Sequence, residues 1–294
     1  MISVLILVYN EEASLEACFQ ALKNQRSSIK KMVVVDDCST DKSAKIITKY
    51  SEELDLKVHV NDKNMGTNYS ISEGLKQLVG EFVHIRTPHD YFVSDIYETL
   101  TAELLRTGSE VLFTRPGLMV NDVLETKSPV LIGNVSFNPF SKAVINFLGG
   151  ISFSSTCFVF LNSADVSTKF SRFVMCGPYC DFLLKTYLFH NKPSSYLHKC
   201  LGYYKIAGDT GKHVTSKRQV FRTFFVIRDL SKAKFAGGCL LRTIFVPISR
   251  DFLLILLSKW LVFSWLLLVF RLSLVAAKAI LTKMARRLAI VYSK

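Results

Sequence analysis

Short apolar runs that alternate with segments of helical periodicity constrain the fold of this chain more than any other feature. The first run, Ile2–Val8, is continuously apolar, and similar runs begin at "KMVVV", "EFVHI" and "EVLF". Strands of a parallel sheet have this character because helices cover both of their faces. The alternation therefore predicts an α/β fold built on a doubly wound, mostly parallel sheet.

Four helices are predicted between these strands. Asn10 is expected to cap the first, which would run to Gln25 and bury Leu15, Cys18, Phe19 and Leu22 at helical spacing. The second covers Asp41–Tyr50, the third ends at Gly80, and the fourth covers 93–105. Lys57–Val60 is a further, shorter strand. Ligands of such sheets bind beyond the carboxyl ends of the strands, so the polar residues found there are the candidates for function.

Residues 116–216 show a less regular pattern. A strand is predicted at the end of "GGISFSSTCFVFL", a helix in "CDFLLKTYLFH" and another strand in "LHKCLGYYKI". The seven cysteines are an odd number without paired spacing, which favours buried thiols in a reducing compartment over a disulfide framework. The first residues lack a basic leader and a cleavage site, so we expect the amino-terminal domain to remain in the cytosol.

The positive charge of the chain is confined to its last 78 residues. Residues 217–294 contain 15 Lys and Arg and two acids, whereas residues 1–216 contain 22 of each sign (37 − 15 and 24 − 2) and are neutral. The basic groups flank the 19-residue run 252–270, which carries one charge. Basic groups beside an apolar run favour an anionic membrane surface over nucleic acid, which we do not expect as a partner.

The run 252–270 is long enough to span a bilayer, but basic clusters on both sides disagree with a single span. A helix in the interface or a re-entrant pair keeps both clusters at the cytoplasmic leaflet, and a buried or oligomer-forming helix is the alternative. We therefore expect a basic, hydrophobic, helical region that associates with the cytoplasmic face of a membrane as a peripheral or monotopic element. The sequence leaves open whether the chain forms a homo-oligomer.

Two adjacent carboxylates, Asp36 and Asp37, end the second buried strand, although strands disfavour Asp. They could cap the next helix together with Ser39, Thr40 and Asp41. They could instead accept hydrogen bonds from a base or a ribose, with the ring of Tyr9 beside them. The residues alone leave both interpretations open.

Several segments together resemble family 2 glycosyltransferases, which are inverting enzymes of the glycosyltransferase-A fold. The resemblance rests on "SVLILVYNEEASLEACFQAL", "VVVDDCSTDKS", "NMGTNYSISEG" and "GEFVHI"; it is close over residues 2–95 and loose over 150–210. Cys38 stands where the family usually has Gly, and Ile71 stands where it usually has Arg.

The resemblance implies one catalytic domain, 1–216, with a nucleotide-binding half (1–115) and an acceptor half (116–216), followed by the tail 217–294. It also implies a UDP- or dTDP-sugar as donor and a saccharide or lipid-linked saccharide as acceptor, in the synthesis of cell-surface polysaccharide or lipid-linked oligosaccharide. The nucleotide-binding candidates are Tyr9, Asn10, Glu11, Asp36, Asp37, Asn64 and Gly66.

The loop after "GEFVHI" departs from the family's Asp-x-Asp pattern. Thr87 takes the first Asp position, His89 the second, where a Mn²⁺ or Mg²⁺ ion would bind, and Asp90 the third. Three alternatives remain: His89 binds a metal, Asp90 binds it with the diphosphate supplying most ligands, or no metal is present and His89 contacts the phosphates directly. The altered loop also leaves open a non-catalytic or metal-independent sugar-nucleotide binder.

The general base of an inverting transfer is implied at Asp181, which opens the "CDFLLKTYLFHNK" helix. An ordinary helix-terminal charge is the alternative for this residue. "LGYYKIAGDTGKH" resembles a segment that closes over the diphosphate in this family, with Lys205, Lys212 and His213 as the candidate residues.

Overall fold

A computed structural model describes residues 1–120, 123–126, 134–138, 158–174 and 180–205 of the 294. Its strands are β1 (Ile2–Val8), β2 (Ile29–Asp36), β3 (Leu56–Val60), β4 (Glu81–Arg86), β5 (Tyr91–Phe92), β6 (Val111–Val120), β7 (Val123–Thr126), β8 (Val135–Phe137), β9 (Phe158–Asn162) and β10 (Ser194–Lys205). Its α-helices are α1 (Leu15–Lys23), α2 (Ser43–Leu54), α3 (Thr67–Lys76), α4 (Ile96–Thr107), α5 (Ala164–Phe173) and α6 (Cys180–Asn191).

The described strands form one sheet in the order β3-β2-β1-β4-β9-β6-β10-β5, with β7 beside β6 and β8 beside β10. The first four strands in this order, β3 to β4, are parallel, as the sequence predicts. β6 crosses position 115, so the two halves proposed from the sequence share a continuous sheet.

The sheet is mixed, so the prediction of a mostly parallel sheet is wrong beyond β4. β9 lies between β4 and β6 and is antiparallel to both, while β6 and β10 are parallel to each other. The apolar run "FVFLN" of β9 completes the core at this position, where Phe158 and Phe160 are buried. An apolar run indicates a buried strand but not its neighbours or direction, which is why the sequence did not reveal this insertion.

Helices cover both faces of the sheet. One face packs against α1, α2 and α4, and its core includes Val4, Ile6, Phe19, Tyr50 and Tyr97. The other face packs against α3, α5 and α6. There α3 lies so close to β1 that a Cβ on Gly74 would come within 2.2 Å of a Leu5 methyl carbon. Two buried faces explain why apolar residues occupy consecutive positions of the central strands rather than only alternate ones.

The predicted tail lies outside the described residues, together with Lys212 and His213. Among the ranges that the structure does describe, no helix has the length and apolar character needed to cross a bilayer. The four described cysteines are free thiols: Cys18, Cys38, Cys180 and Cys200.

Candidate active site

The predicted site residues meet at one edge of the sheet. β1, β2 and β4 are parallel, so Val8, Asp36 and Arg86 end their strands on the same side. β9 is antiparallel to both β4 and β6, so β6 runs in the same direction as β4, and β6 and its parallel neighbour β10 also end there. The carboxyl ends of these five strands therefore lie at one edge, which is where open α/β sheets bind ligands.

Asn10 joins the loops that follow β1 and β2. Its Oδ1 accepts hydrogen bonds from the Thr40 backbone N–H (2.8 Å) and hydroxyl (3.3 Å), and its own N–H donates to Ser39 Oγ (3.0 Å). The predicted capping role is wrong: α1 begins at Leu15 after Ser14, and Asn10 has a φ of +53°. Asn tolerates this left-handed conformation, so the chain can turn sharply out of β1 and place the amide against the neighbouring loop.

Asp36 is buried and shapes the loop after β2. Its Oδ1 accepts from the Ser39 backbone N–H (3.0 Å) and hydroxyl (2.5 Å). Asp36 does not cap α2, in front of which Asp41 Oδ1 accepts from the Ser43 N–H at 2.9 Å. Asp36 therefore holds a local turn after β2, with its Oδ1 engaged inside the protein.

Asp37 holds the turn that precedes α3. Its Oδ1 accepts from Asn61 Nδ2 (2.7 Å) and the Met65 N–H (2.8 Å), and its Oδ2 accepts from the Gly66 N–H (2.7 Å). Asn64 Oδ1 also accepts from the Gly66 N–H, at 3.1 Å. Gly66 has a φ of +87°, which only glycine adopts readily. Three of the four acceptor sites of the Asp37 carboxylate are thus used within the protein.

The two departures from the family pattern have structural explanations. Cys38 has a φ of +63°, so the usual glycine relieves a backbone conformation that costs other residues about 1–2 kcal/mol. Ile71 is buried in the core between α3 and the sheet, where an arginine would need a partner.

Tyr9 follows directly after β1, and 46% of its surface is exposed. An exposed aromatic ring at the carboxyl edge of the sheet can contact a planar ligand by stacking. Tyr9 is therefore the candidate at this edge that offers an exposed aromatic ring to a nucleotide base.

Glu11 and His89 form the closest contact between the β1 and β4 loops. His89 Nδ1 donates to Glu11 Oε1 at 2.6 Å, and the Ser14 hydroxyl donates to the other Glu11 oxygen. The Glu11 N–H donates to Ser43 Oγ at 2.9 Å. The hydrogen bond to Glu11 raises the pKa of His89 above its ordinary value, against the opposing effect of burial.

Asp90 is 5% exposed and ties the β4 loop to the end of β10. Its Oδ2 accepts from the Thr87 hydroxyl (2.5 Å), and its Oδ1 accepts from the Lys205 backbone N–H (3.0 Å). Burial raises the pKa of Asp90, although both hydrogen bonds oppose this. The position of Lys205 beside this loop agrees with its predicted place near the site.

Arg86 is a cationic residue at this edge that the sequence analysis did not single out. Its guanidinium is buried and lies 4.4 Å from the centre of the Phe92 ring. It also interacts with the side chains of Cys18 and Tyr97. Nε and Nη1 have no hydrogen-bond partner in the described part of the chain. The signal for Arg86 was available, because a charged residue stands at the carboxyl end of the strand "EFVHIR", where ligands of such sheets bind.

The residues at this edge do not fit a divalent cation held by the protein. Thr87 offers a neutral hydroxyl that is already donated to Asp90, and both Asp90 oxygens accept hydrogen bonds. His89 Nδ1 donates to Glu11, which leaves Nε2 available as it is in histidines that bind metals, but a single nitrogen does not hold a hard cation. In the described ranges, no three His, Cys, Asp or Glu side chains come together as metal ligands would. A hard cation prefers several open oxygen ligands, which this loop does not offer.

Asp181 is the second residue of α6. α6 connects to β10 through Lys192 and Pro193 alone, and β10 runs toward the site edge. A helix joined so tightly to a strand runs back along it, so α6 begins toward the edge that carries the loops.

A mixed sheet with helices on both faces and polar loops at one edge defines an α/β protein of the glycosyltransferase-A type. The model of the family described as glycosyl transferase family 2 matches residues 3–164, which is more than half of the chain. The chain belongs to that family.

Curated relatives agree with this assignment. The chain is 33% identical over 116 residues to the Staphylococcus aureus poly(ribitol-phosphate) beta-N-acetylglucosaminyltransferase TarS, covering 38% of the chain and 20% of TarS. It is 28% identical over 110 residues to glycosyltransferase GlyA of Streptococcus pneumoniae, covering 37% of the chain and 16% of GlyA. The chain thus spans no more than a fifth of the length of either relative.

Solved structures show the same fold. Residues 1–349 of S. aureus TarS in complex with UDP-GlcNAc match with a TM-score of 0.63 and 22% identity, over 80% of this chain and 67% of that one. A second crystal structure of TarS residues 1–349 matches with a TM-score of 0.64 and 20% identity, over 85% of this chain and 73% of that one.

Proposed function

We propose that this protein transfers a sugar from a UDP- or dTDP-sugar to a saccharide or lipid-linked saccharide acceptor, with inversion, in the synthesis of cell-surface polysaccharide or lipid-linked oligosaccharide. The reaction would take place at the cytoplasmic face of a membrane that residues 217–294 contact. Relatives support the substrate class: TarS is named for N-acetylglucosamine transfer to poly(ribitol-phosphate), and TuaG of Bacillus subtilis is named for teichuronic acid biosynthesis.

The observation that carries this proposal is the meeting of Tyr9, Glu11, His89 and Lys205 at the edge of a family 2 fold. An exposed ring can stack on the base, while the cationic groups lie on the β4 and β10 side, where a diphosphate would extend. The edge therefore combines an aromatic surface with positive charge, which is the chemistry that a nucleoside diphosphate requires.

Asp181 is proposed as the general base. The acceptor hydroxyl attacks the anomeric carbon, its proton passes to the Asp181 carboxylate, and the bond from that carbon to the diphosphate oxygen breaks with its electron pair on the leaving group. A single displacement of this kind inverts the anomeric centre.

The proposal is tested by measuring release of UDP or dTDP from a panel of donor sugars, with saccharide acceptors, for the full-length wild type and Asp181→Asn. We expect Asp181→Asn to lower turnover about 10²–10⁴-fold while nucleotide affinity stays near the wild-type value, because the base acts on the acceptor. Asp165→Asn is the matched control, since Asp165 lies in the first turn of α5. If both changes lowered turnover equally, Asp181 would act only as a charge at the helix terminus and not as the general base.

A non-catalytic sugar-nucleotide binder is the second candidate, and the replacement of Asp-x-Asp by Thr87-x-His89 favours it. In that case the wild type would bind UDP or dTDP but release no nucleotide from any donor, and Asp181→Asn would change nothing.

A further inference from the structure

The Glu11–His89 pair fixes the imidazole in one orientation. Glu11 is itself held by the Ser14 hydroxyl and, through its backbone, by Ser43. Its remaining oxygen accepts from His89 Nδ1 at 2.6 Å. In the ranges that the structure describes, Nδ1 is the ring nitrogen with a protein partner, so Nε2 is the nitrogen that can face a ligand. A carboxylate on one nitrogen sets the hydrogen-bonding role of the other.

The charges around this pair favour an anion rather than a divalent cation. The groups that face His89 are Glu11 from the β1 loop, Asp90 from its own loop and Lys205 from the end of β10. Arg86 ends β4 and acts electrostatically on Asp90, while its guanidinium is buried against the Phe92 ring. With His89 protonated, three cationic groups accompany two acidic ones, whereas a cation site would have an excess of open carboxylates.

Resting on the proposed function, we propose that Glu11 holds His89 as an imidazolium whose Nε2–H binds the diphosphate of the donor, in place of the divalent cation that the resemblance implies. During transfer His89 keeps its proton and donates a hydrogen bond. The electron pair of the breaking bond stays on the leaving phosphate oxygen, and the proton of the acceptor goes to the general base. Fixed positive charge thus stabilises the leaving diphosphate, as preorganised donors do in other sites.

The first experiment measures binding of UDP, dTDP and uridine to the full-length protein by calorimetry, in EDTA and with added Mn²⁺. Whichever of UDP and dTDP binds more tightly should have the same affinity in EDTA and with added Mn²⁺. His89→Gln and Glu11→Gln should each weaken diphosphate binding about 10- to 100-fold, the scale of one charge-assisted hydrogen bond. Uridine lacks the diphosphate, so its binding should not change. Glu12→Gln is the matched control, because Glu12 is the exposed neighbour of Glu11 and accepts from the Lys42 N–H.

The second experiment restores the family residue with His89→Asp. We expect this variant to bind the diphosphate weakly in EDTA and to regain affinity with Mn²⁺, because it adds the missing oxygen ligand and repels the phosphates without a cation. Thermal unfolding of every variant checks that the fold is kept.

Three results would overturn the inference: loss of wild-type diphosphate binding in EDTA with recovery in Mn²⁺, wild-type affinity in both His89→Gln and Glu11→Gln, or equal losses for uridine and the diphosphates. Binding in EDTA without any sugar transfer would contradict the proposed function and leave the inference supported. If the folded protein bound neither UDP nor dTDP, both would be wrong.

Discussion

Two groups of acidic side chains lie at the same edge of the sheet but have opposite surroundings. At the end of β2, Asp36 accepts hydrogen bonds from neutral donors of its own loop, and Asp37 accepts them from neutral donors at the end of β3 and in the loop that follows it. At the end of β4, Glu11 faces His89, and Asp90 lies near Arg86. The first group stabilises a backbone conformation with neutral partners, whereas the second group has cationic partners. The two groups thus differ in the charge of their surroundings.

Asp37→Ala would break the scaffold and is expected to have the largest effect on stability. It removes the acceptor of three donors and leaves the Asn61 amide without one of its partners, so we expect a loss of about 2–4 kcal/mol in the free energy of unfolding. The estimate is below the sum of three charged hydrogen bonds because water can reach the Met65 and Gly66 N–H groups. Denaturant unfolding of the full-length protein measures it.

Asp62→Ala serves as the control for that change, because Asp62 is an exposed acid in the same loop. We expect it to unfold like the wild type. If Asp37→Ala kept wild-type stability but bound UDP or dTDP about 10-fold more weakly, Asp37 would be a direct nucleotide contact, and the contrast between the two ends would fail.

Cys38→Gly tests the loop after β2 in the opposite direction from Asp37→Ala, because it should increase stability. A glycine adopts the observed φ of +63° without the steric cost of a Cβ, although the unfolded chain gains freedom. The two effects leave a net gain of up to about 1 kcal/mol. Cys38→Ala keeps the Cβ, so this control should show no gain. Thermal unfolding compares the three proteins, and equal midpoints for Gly and Ala would show that the conformation carries no strain.

The fold of the first half could be predicted because its central strands, β1, β2 and β4, are largely buried on both faces and read as mostly apolar runs. The insertion of β9 could not, because strand order depends on contacts between residues more than 70 positions apart, such as Val83 and Phe160. Most of the site could be predicted for a similar reason, since parallel strands bring their carboxyl ends together.

The partners within the site could not be predicted. Asn10 precedes a helix, and its residue type favours a cap, but its left-handed backbone directs the amide to Thr40 in another loop. The contact of Glu11 with His89 likewise depends on how the loops after β1 and β4 are positioned relative to each other. Sequence spacing predicts which edge a residue reaches, whereas side-chain partners depend on backbone directions that only the structure gives.

The smallest expected effect concerns the stability of the β4 side as a function of pH. Glu11 raises the pKa of His89 in the folded protein above the unfolded value of about 6.5. The unfolded chain therefore releases this proton at lower pH than the folded one. The stabilisation is fully present below about pH 6.5 and is lost as the pH rises through the folded-state pKa.

Glu11→Gln removes the charge that causes this shift, so the difference in unfolding midpoint between the wild type and this variant should be largest near pH 6 and shrink toward pH 9. It should stay smaller than the effect at position 37, because 39% of the His89 side chain is exposed and solvent screens the pair. When His89→Gln is already present, adding Glu11→Gln should not change the pH dependence of the unfolding midpoint, because the titrating histidine is absent. A difference that is constant from pH 5 to pH 9 would mean that Glu11 stabilises the loop through its hydrogen bonds alone, and that the β4 side is neutral scaffold like the β2 side.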